Sequence, residues 1–125
     1  MERDVVTMHI GELAEKTGLS LRTIRHYDEV GLLKPTGRTE GGFRLYTHDD
    51  FARLMLIRRM KPLGFTLEEM TRLLGIIETL GGAGSVDTAV RADLDGFIAQ
   101  AVERRGKLRE QLAMADEFLT LLREQ

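Results

Sequence analysis

A chain of 125 residues, 42% hydrophobic and 30% charged, has room for about one domain and enough apolar surface to bury a core, which excludes a multidomain enzyme and a disordered or fibrous chain. Cysteine is absent, no apolar run approaches the ~18 residues that span a bilayer, and Met1, Glu2, Arg3 and Asp4 do not open a secretion signal, so disulfides, thiolate metal sites, a cysteine nucleophile and membrane insertion are excluded and the expected location is the cytoplasm. The net charge of −2 is unevenly spread, because residues 20–61 hold nine Lys/Arg against five Asp/Glu, a local +4, and the remainder carries −6; a basic region on an otherwise acidic chain suggests a face for a polyanion.

The spacing predicts a first helix over residues 11–16 with Leu13 and Ala14 inward, stopped by Gly18. Ser20 is placed to cap a second helix running to about Val30. Its inward residues are Ile24, Tyr27 and Val30, and Gly31 stands where a left-handed cap is expected. Ala14, Gly18, Leu19 and Ile24 have the spacing of a helix-turn-helix: a small residue where the helices touch, glycine in the turn, and apolar residues between. Residues 36–39 and 43–46 flank Glu40-Gly41-Gly42, a loop of hairpin length and composition, which predicts a small two-stranded wing.

Thr47-His48-Asp49-Asp50 reads as a capping box with a shorter acid at its end. It opens a third helix whose apolar positions are Phe51, Leu54, Met55, Ile57 and Met60, and which Pro62 and Gly64 terminate. Thr66-Leu67-Glu68-Glu69 is a second capping box, opening a fourth helix with Leu67, Met70, Leu73, Leu74 and Ile77 on one side. The domain organisation expected is a winged helix-turn-helix unit over residues 1–80, a glycine-rich hinge over 81–86, and a dimerisation helix over 87–125, capped by Ser85 or Asp87.

A helix unbroken to about Leu122 would be roughly 54 Å long at 1.5 Å per residue, longer than a chain of this size can cover with its own globule. Leu94, Phe97, Ala101, Leu108, Leu112, Ala115, Leu119 and Leu122 are spaced by alternating threes and fours outside the Arg104-Arg105 interruption, the pattern of a coiled-coil seam. Self-association is the simplest way to bury it; packing on its own N-terminal unit is the alternative, which the length disfavours. Register is open around Arg104 and Arg105, and Gly96 and Gly106 weaken the helix by up to about 1 kcal/mol each.

The run Ile10-Gly11-Glu12-Leu13-Ala14 with Gly18, followed by Thr23-Ile24-Arg25-His26-Tyr27-Asp28, Gly31-Leu32-Leu33-Lys34-Pro35, Arg38-Thr39-Glu40-Gly41-Gly42-Phe43-Arg44-Leu45-Tyr46 and Gly64-Phe65-Thr66-Leu67-Glu68-Glu69, resembles the MerR family of bacterial transcription regulators over about residues 8–80. The resemblance implies a mainly α fold: a winged helix-turn-helix with a small β-hairpin wing, two further helices, and a long C-terminal coiled-coil helix paired antiparallel in a homodimer. It also implies binding to double-stranded promoter DNA between elements set too far apart for RNA polymerase, with bending and untwisting of the site.

Carried onto this chain, the DNA-binding residues are Arg22, Thr23, Arg25, His26 and Tyr27 on the recognition helix, Arg38, Arg44 and Tyr46 in the wing, and Arg58 on the third helix. Arginine and histidine on a helix can reach base edges and phosphates from the major groove. Arg44 and Tyr46 alternate along a strand and so project to one side, placed to clamp the DNA backbone. Arg25 and Tyr27 match the motif, with Tyr27 equally readable as a core aromatic, whereas His26 stands where a second tyrosine is common. Arg58, Arg59 and Lys61 form a charge run that would ordinarily be a wetted face, but Arg58 matches a family position that reaches phosphate. Pro62 departs from the family pattern and shortens the third helix.

Family members that sense metals or oxidants use cysteines near the end of the long helix, and drug sensors carry a large ligand domain after it. Neither is present, so no cofactor and no metal is expected, and a small-molecule effector is left open. His9, His26 and His48 fall on three separate elements and do not make a metal site. With no glycine-rich phosphate loop and with Asp49 and Asp50 explained by capping, no catalytic residue and no enzyme is expected. The rival reading is a DNA-architectural or excisionase-like protein, which the long terminal helix disfavours.

Overall fold

Two left-handed glycines define the helix-turn-helix of this computed structural model, which describes residues 7–82 and 88–125. Gly18, at φ 72°, closes α1 (Ile10–Thr17) by donating its N–H to the Ala14 carbonyl at 2.9 Å. Gly31, at φ 77°, follows α2 (Leu21–Glu29), where the Tyr27 carbonyl accepts from the N–H groups of both Leu32 and Leu33. A β-carbon is strained in that conformation, so the turns require glycine. Between the helices, the Ser20 hydroxyl accepts from the Thr23 N–H at 3.1 Å and fixes the start of α2.

Val30 is exposed, in contrast to the inward position its spacing predicts. It is the C-cap residue, still helical and bonded to the His26 carbonyl, but at about 100° per residue it lies a further ~60° round the helix from Tyr27, on the side away from Ile24. Leu32 and Leu33 point inward in its place.

The sheet has three strands rather than the expected two. β1 (Thr7–His9) and β2 (Gly37–Arg38) flank β3 (Arg44–Thr47), all antiparallel, with Met8 opposite Tyr46 and Arg38 opposite Arg44. Met8 and Tyr46 thus meet on the core side of the sheet, both essentially inaccessible.

Helix α3 (His48–Met60) starts with the full reciprocal capping box: the Asp50 N–H donates to Thr47 Oγ1, and the Thr47 N–H donates to Asp50 Oδ2. Asp50 is 1% exposed and does more than cap, because Thr36 Oγ1 also donates to its Oδ2 at 2.6 Å. That bond pins the segment leading into β2 onto the start of α3. Lys61–Leu63 tightens into a single 3-10 turn at Pro62, ending on Gly64. Thr66 and Glu69 form the second reciprocal box at the head of α4 (Leu67–Gly81). Leu13, Ile24, Tyr27, Leu54, Ile57, Met60, Phe65, Met70 and Leu73 join Met8 and Tyr46 in the buried core, with the recognition helix packed on α1 and α1 in turn on α3 and the sheet.

The chain divides into two compact units, the first ending at Leu74 and the second running from Gly75. The second contains α5 (Thr88–Arg123), 36 residues without a break. The caps proposed for it, Ser85 and Asp87, lie outside the described residues, as do residues 83–86 of the expected hinge. Along α5 Phe97 is buried and Leu94 and Ala101 are half-buried, whereas Leu108, Leu112, Ala115, Leu119 and Leu122 are exposed. Met114, Phe118 and Leu121 form a second exposed apolar row, at i, i+4 and i+7 and so on another side of the helix.

Candidate nucleic-acid interface

The outer side of α2 carries Arg22, Arg25 and His26, all exposed, around a cavity of about 510 Å³ that Thr23, Tyr27, Glu29 and Lys61 complete. Ile24 and Tyr27 hold this helix down on the core, which leaves the residues between them facing outward. Lys61 reaches the cavity from the 3-10 turn after α3, so that turn contributes a cation to the recognition-helix surface. The charge run Arg58, Arg59 and Lys61 carries no local signal that the turn faces α2.

Tyr27 is 3% exposed and serves both readings given to it: its body belongs to the core while it lines the cavity, and burial pushes its hydroxyl pKa up. The His26 and Tyr27 rings stand 6.2 Å apart at a tilt of 44°. Thr23 is half-buried, and its hydroxyl pairs with that of Ser20 at 2.9 Å, so it serves the cap. Arg58 is exposed and lies against the α1–α2 turn, its Nη2 3.7 Å from the point a β-carbon on Gly18 would occupy.

The wing is bonded to the recognition helix through Asp28. Its Oδ2 accepts from Arg44 Nε at 2.7 Å and from Arg38 Nη2 at 3.3 Å. Arg38 Nη1 also donates to the Gly42 carbonyl at the wing tip. Arg44 is held firmly protonated, first by the hydrogen bond to Asp28. The partners of Asp28 lie ten and sixteen residues away, beyond any local signal in the sequence.

Tyr46 requires correction. It lies two residues along β3 from Arg44, but where Arg44 is partly exposed against Asp28, the Tyr46 ring is 0% exposed over the core, and its hydroxyl has no hydrogen-bond partner among the described residues. Burial, with Asp28 as the next cause, raises its pKa. Tyr46 therefore supports the wing from beneath and does not face a ligand. Exposed at the wing tip instead is Phe43, at 70%, with its N–H held by Thr39 Oγ1. No group of three or more His, Asp or Glu side chains is placed to hold a metal ion among the described residues, and among these no helix is long and apolar enough to cross a membrane.

A capped helix-turn-helix followed by a small antiparallel wing, with cations on the outer side of the second helix, is the architecture of winged-helix transcription regulators. Residues 8–75 match the family described as MerR HTH family regulatory protein. The mercuric resistance operon regulatory protein of Bacillus cereus is 37% identical over 115 residues, covering 92% of this chain and 82% of that one. The chain belongs to the MerR family of transcription regulators. A MerR-family transcriptional regulator from Bacillus cereus has a similar structure, with TM-score 0.65 and 31% identity, covering 95% of this chain and 79% of that one. HiNmlR, described as a MerR family regulator lacking the sensor domain and bound to promoter DNA, is similar with TM-score 0.69 and 30% identity, covering 92% and 80%.

Proposed function

We propose that this chain binds double-stranded promoter DNA in the cytoplasm as a homodimer and regulates transcription by bending and untwisting the site for RNA polymerase. The observation that carries the reading is the arrangement of Arg22, Arg25, His26 and Lys61 around one open cavity, beside a wing whose Arg38 and Arg44 are held at a fixed place against α2. With α2 in the major groove, Arg22, Arg25 and His26 supply donors to base edges and phosphates, and Lys61, Arg58 and the wing arginines hold the backbone to either side. The DNA-bound state of the similar HiNmlR structure supports the same use of this fold.

Dimerisation rests on α5. Leu108, Leu112, Leu119 and Leu122 lie in one row and are exposed on a single chain, and pairing with a second α5 buries them as a coiled-coil seam. Leu94, Phe97 and Ala101 continue the row toward the N-terminal end of the helix, and Ala115 sits within it. A dimer places two recognition helices in successive major grooves, about 34 Å apart on undistorted duplex. Bending such a site costs on the order of 1–6 kcal/mol, which the wing and Lys61 contacts must repay. The exposed 36-residue helix favours this reading over a DNA-architectural protein.

In vitro transcription from its target promoter tests the mechanism. Activation by distortion predicts that deleting one or two base pairs from the spacer makes transcription independent of the protein. Equal activation of a promoter with ordinary spacing would contradict it.

A further inference from the structure

Asp28 is a negative charge placed against two arginines of the wing. It sits in the last turn of α2, its side chain only 11% exposed, with both arginines on the same carboxylate oxygen. Arg38 and Arg44 are directly opposite each other across β2 and β3, a like-charge pair that would repel without a shared counter-ion. Through Arg44 the carboxylate holds the inner strand of the wing, and through Arg38 it reaches the tip at Gly42. The recognition helix and the wing, which must meet different parts of one DNA site, are thus set relative to each other by a single acid.

We infer that Asp28 is a specificity-determining positioning residue, which fixes the wing arginines at one place relative to the recognition helix and lowers their attraction for duplex of any sequence. The inference rests on the proposed DNA binding. A carboxylate engaging two guanidiniums leaves the cluster at +1 rather than +2, and sequence-independent affinity follows the number of phosphates neutralised. Phosphate contacts also fix register, so arginines held in one place reward only the site on which helix and wing fit together. Arg38, about half exposed, and Arg44, about a quarter exposed, remain accessible to the DNA backbone while bonded.

The test compares full-length wild type, Asp28→Asn and Asp28→Glu on two duplexes: one enriched by the wild-type chain from a randomised pool, and one of scrambled sequence. Wild type that binds neither duplex would refute the DNA-binding reading itself. Given wild-type binding, Asp28→Asn is expected to bind the scrambled duplex more tightly and with a steeper salt dependence. Its preference for the selected duplex should drop about tenfold, on the scale of one mismatched base pair. Asp28→Glu, which keeps the charge, should recover most of that preference. Weaker binding to both duplexes, the signature of a merely structural acid, would overturn the inference, as would a preference that does not change.

Discussion

Arg44 Nε stands 2.7 Å from Asp28 Oδ2, which bonds the central strand of the wing to the recognition helix. Arg44 therefore has two tasks, holding the wing in place and facing the DNA backbone. Arg44→Ala should lower stability by about 1–3 kcal/mol, since Asp28 keeps only its longer bond to Arg38. It should also weaken binding to both the selected and the scrambled duplex, and to the selected one more, because a phosphate contact and the bond that sets the wing against α2 are lost together. Thermal melting and a binding titration check both.

Asp50 joins three pieces of chain: the segment ahead of β2 through Thr36, the end of β3 through the Thr47 N–H, and α3 through its own capping box. Asp50→Ala removes the return half of the capping box, leaving the Thr47 N–H without its acceptor, and leaves the Thr36 hydroxyl without its 2.6 Å acceptor. The expected cost is about 2–3 kcal/mol, read as a lower denaturation midpoint with an unchanged slope.

The buried Tyr46 hydroxyl gives the opposite sign. Because it has no partner among the described residues, Tyr46→Phe should leave stability near neutral pH equal or higher by about 1 kcal/mol, with DNA affinity unchanged. Burial raises the pKa of Tyr46, and also of Tyr27, above 10.0, so the folded state holds those protons more tightly than the unfolded chain. Their contribution is complete below pH 10 and is lost as pH rises beyond it. Melting temperature followed against pH should fall in that range for wild type and fall less for Tyr46→Phe.

Leu112 is 63% exposed and lies in the middle of the exposed seam on α5. A carboxylate there would be buried without a partner in a coiled coil, so Leu112→Asp should convert a dimer to a monomer in sedimentation while helix content in each chain is largely kept. Wild type that sediments as a monomer at micromolar concentration would remove the seam.

What the sequence made legible was local. Ser20, Thr47 and Thr66 marked three helix starts because a cap is a bond within three residues, and Gly18 and Gly31 marked turns that only glycine adopts without strain. What stayed hidden depended on distant partners. β1 is only three residues long and exists because Met8 finds Tyr46 across the sheet. The alternation along β3 groups Arg44 with Tyr46, yet Tyr46 is buried and Arg44 partly exposed, because a period of two says nothing about which residues the core covers. The roles of Asp28 and Lys61 appear only once the wing and the turn at Pro62 are folded against α2.

The most direct test of DNA recognition by the basic face of α2 is the salt dependence of duplex binding by the full chain and by Arg25→Ala. The logarithm of affinity should fall linearly with that of salt concentration, at about 0.9 per phosphate contacted. Arg25→Ala should bind more weakly with a slope smaller by about one phosphate contact per protomer. Wild-type binding that does not respond to salt, or an Arg25→Ala variant with unchanged affinity and slope, would contradict the account.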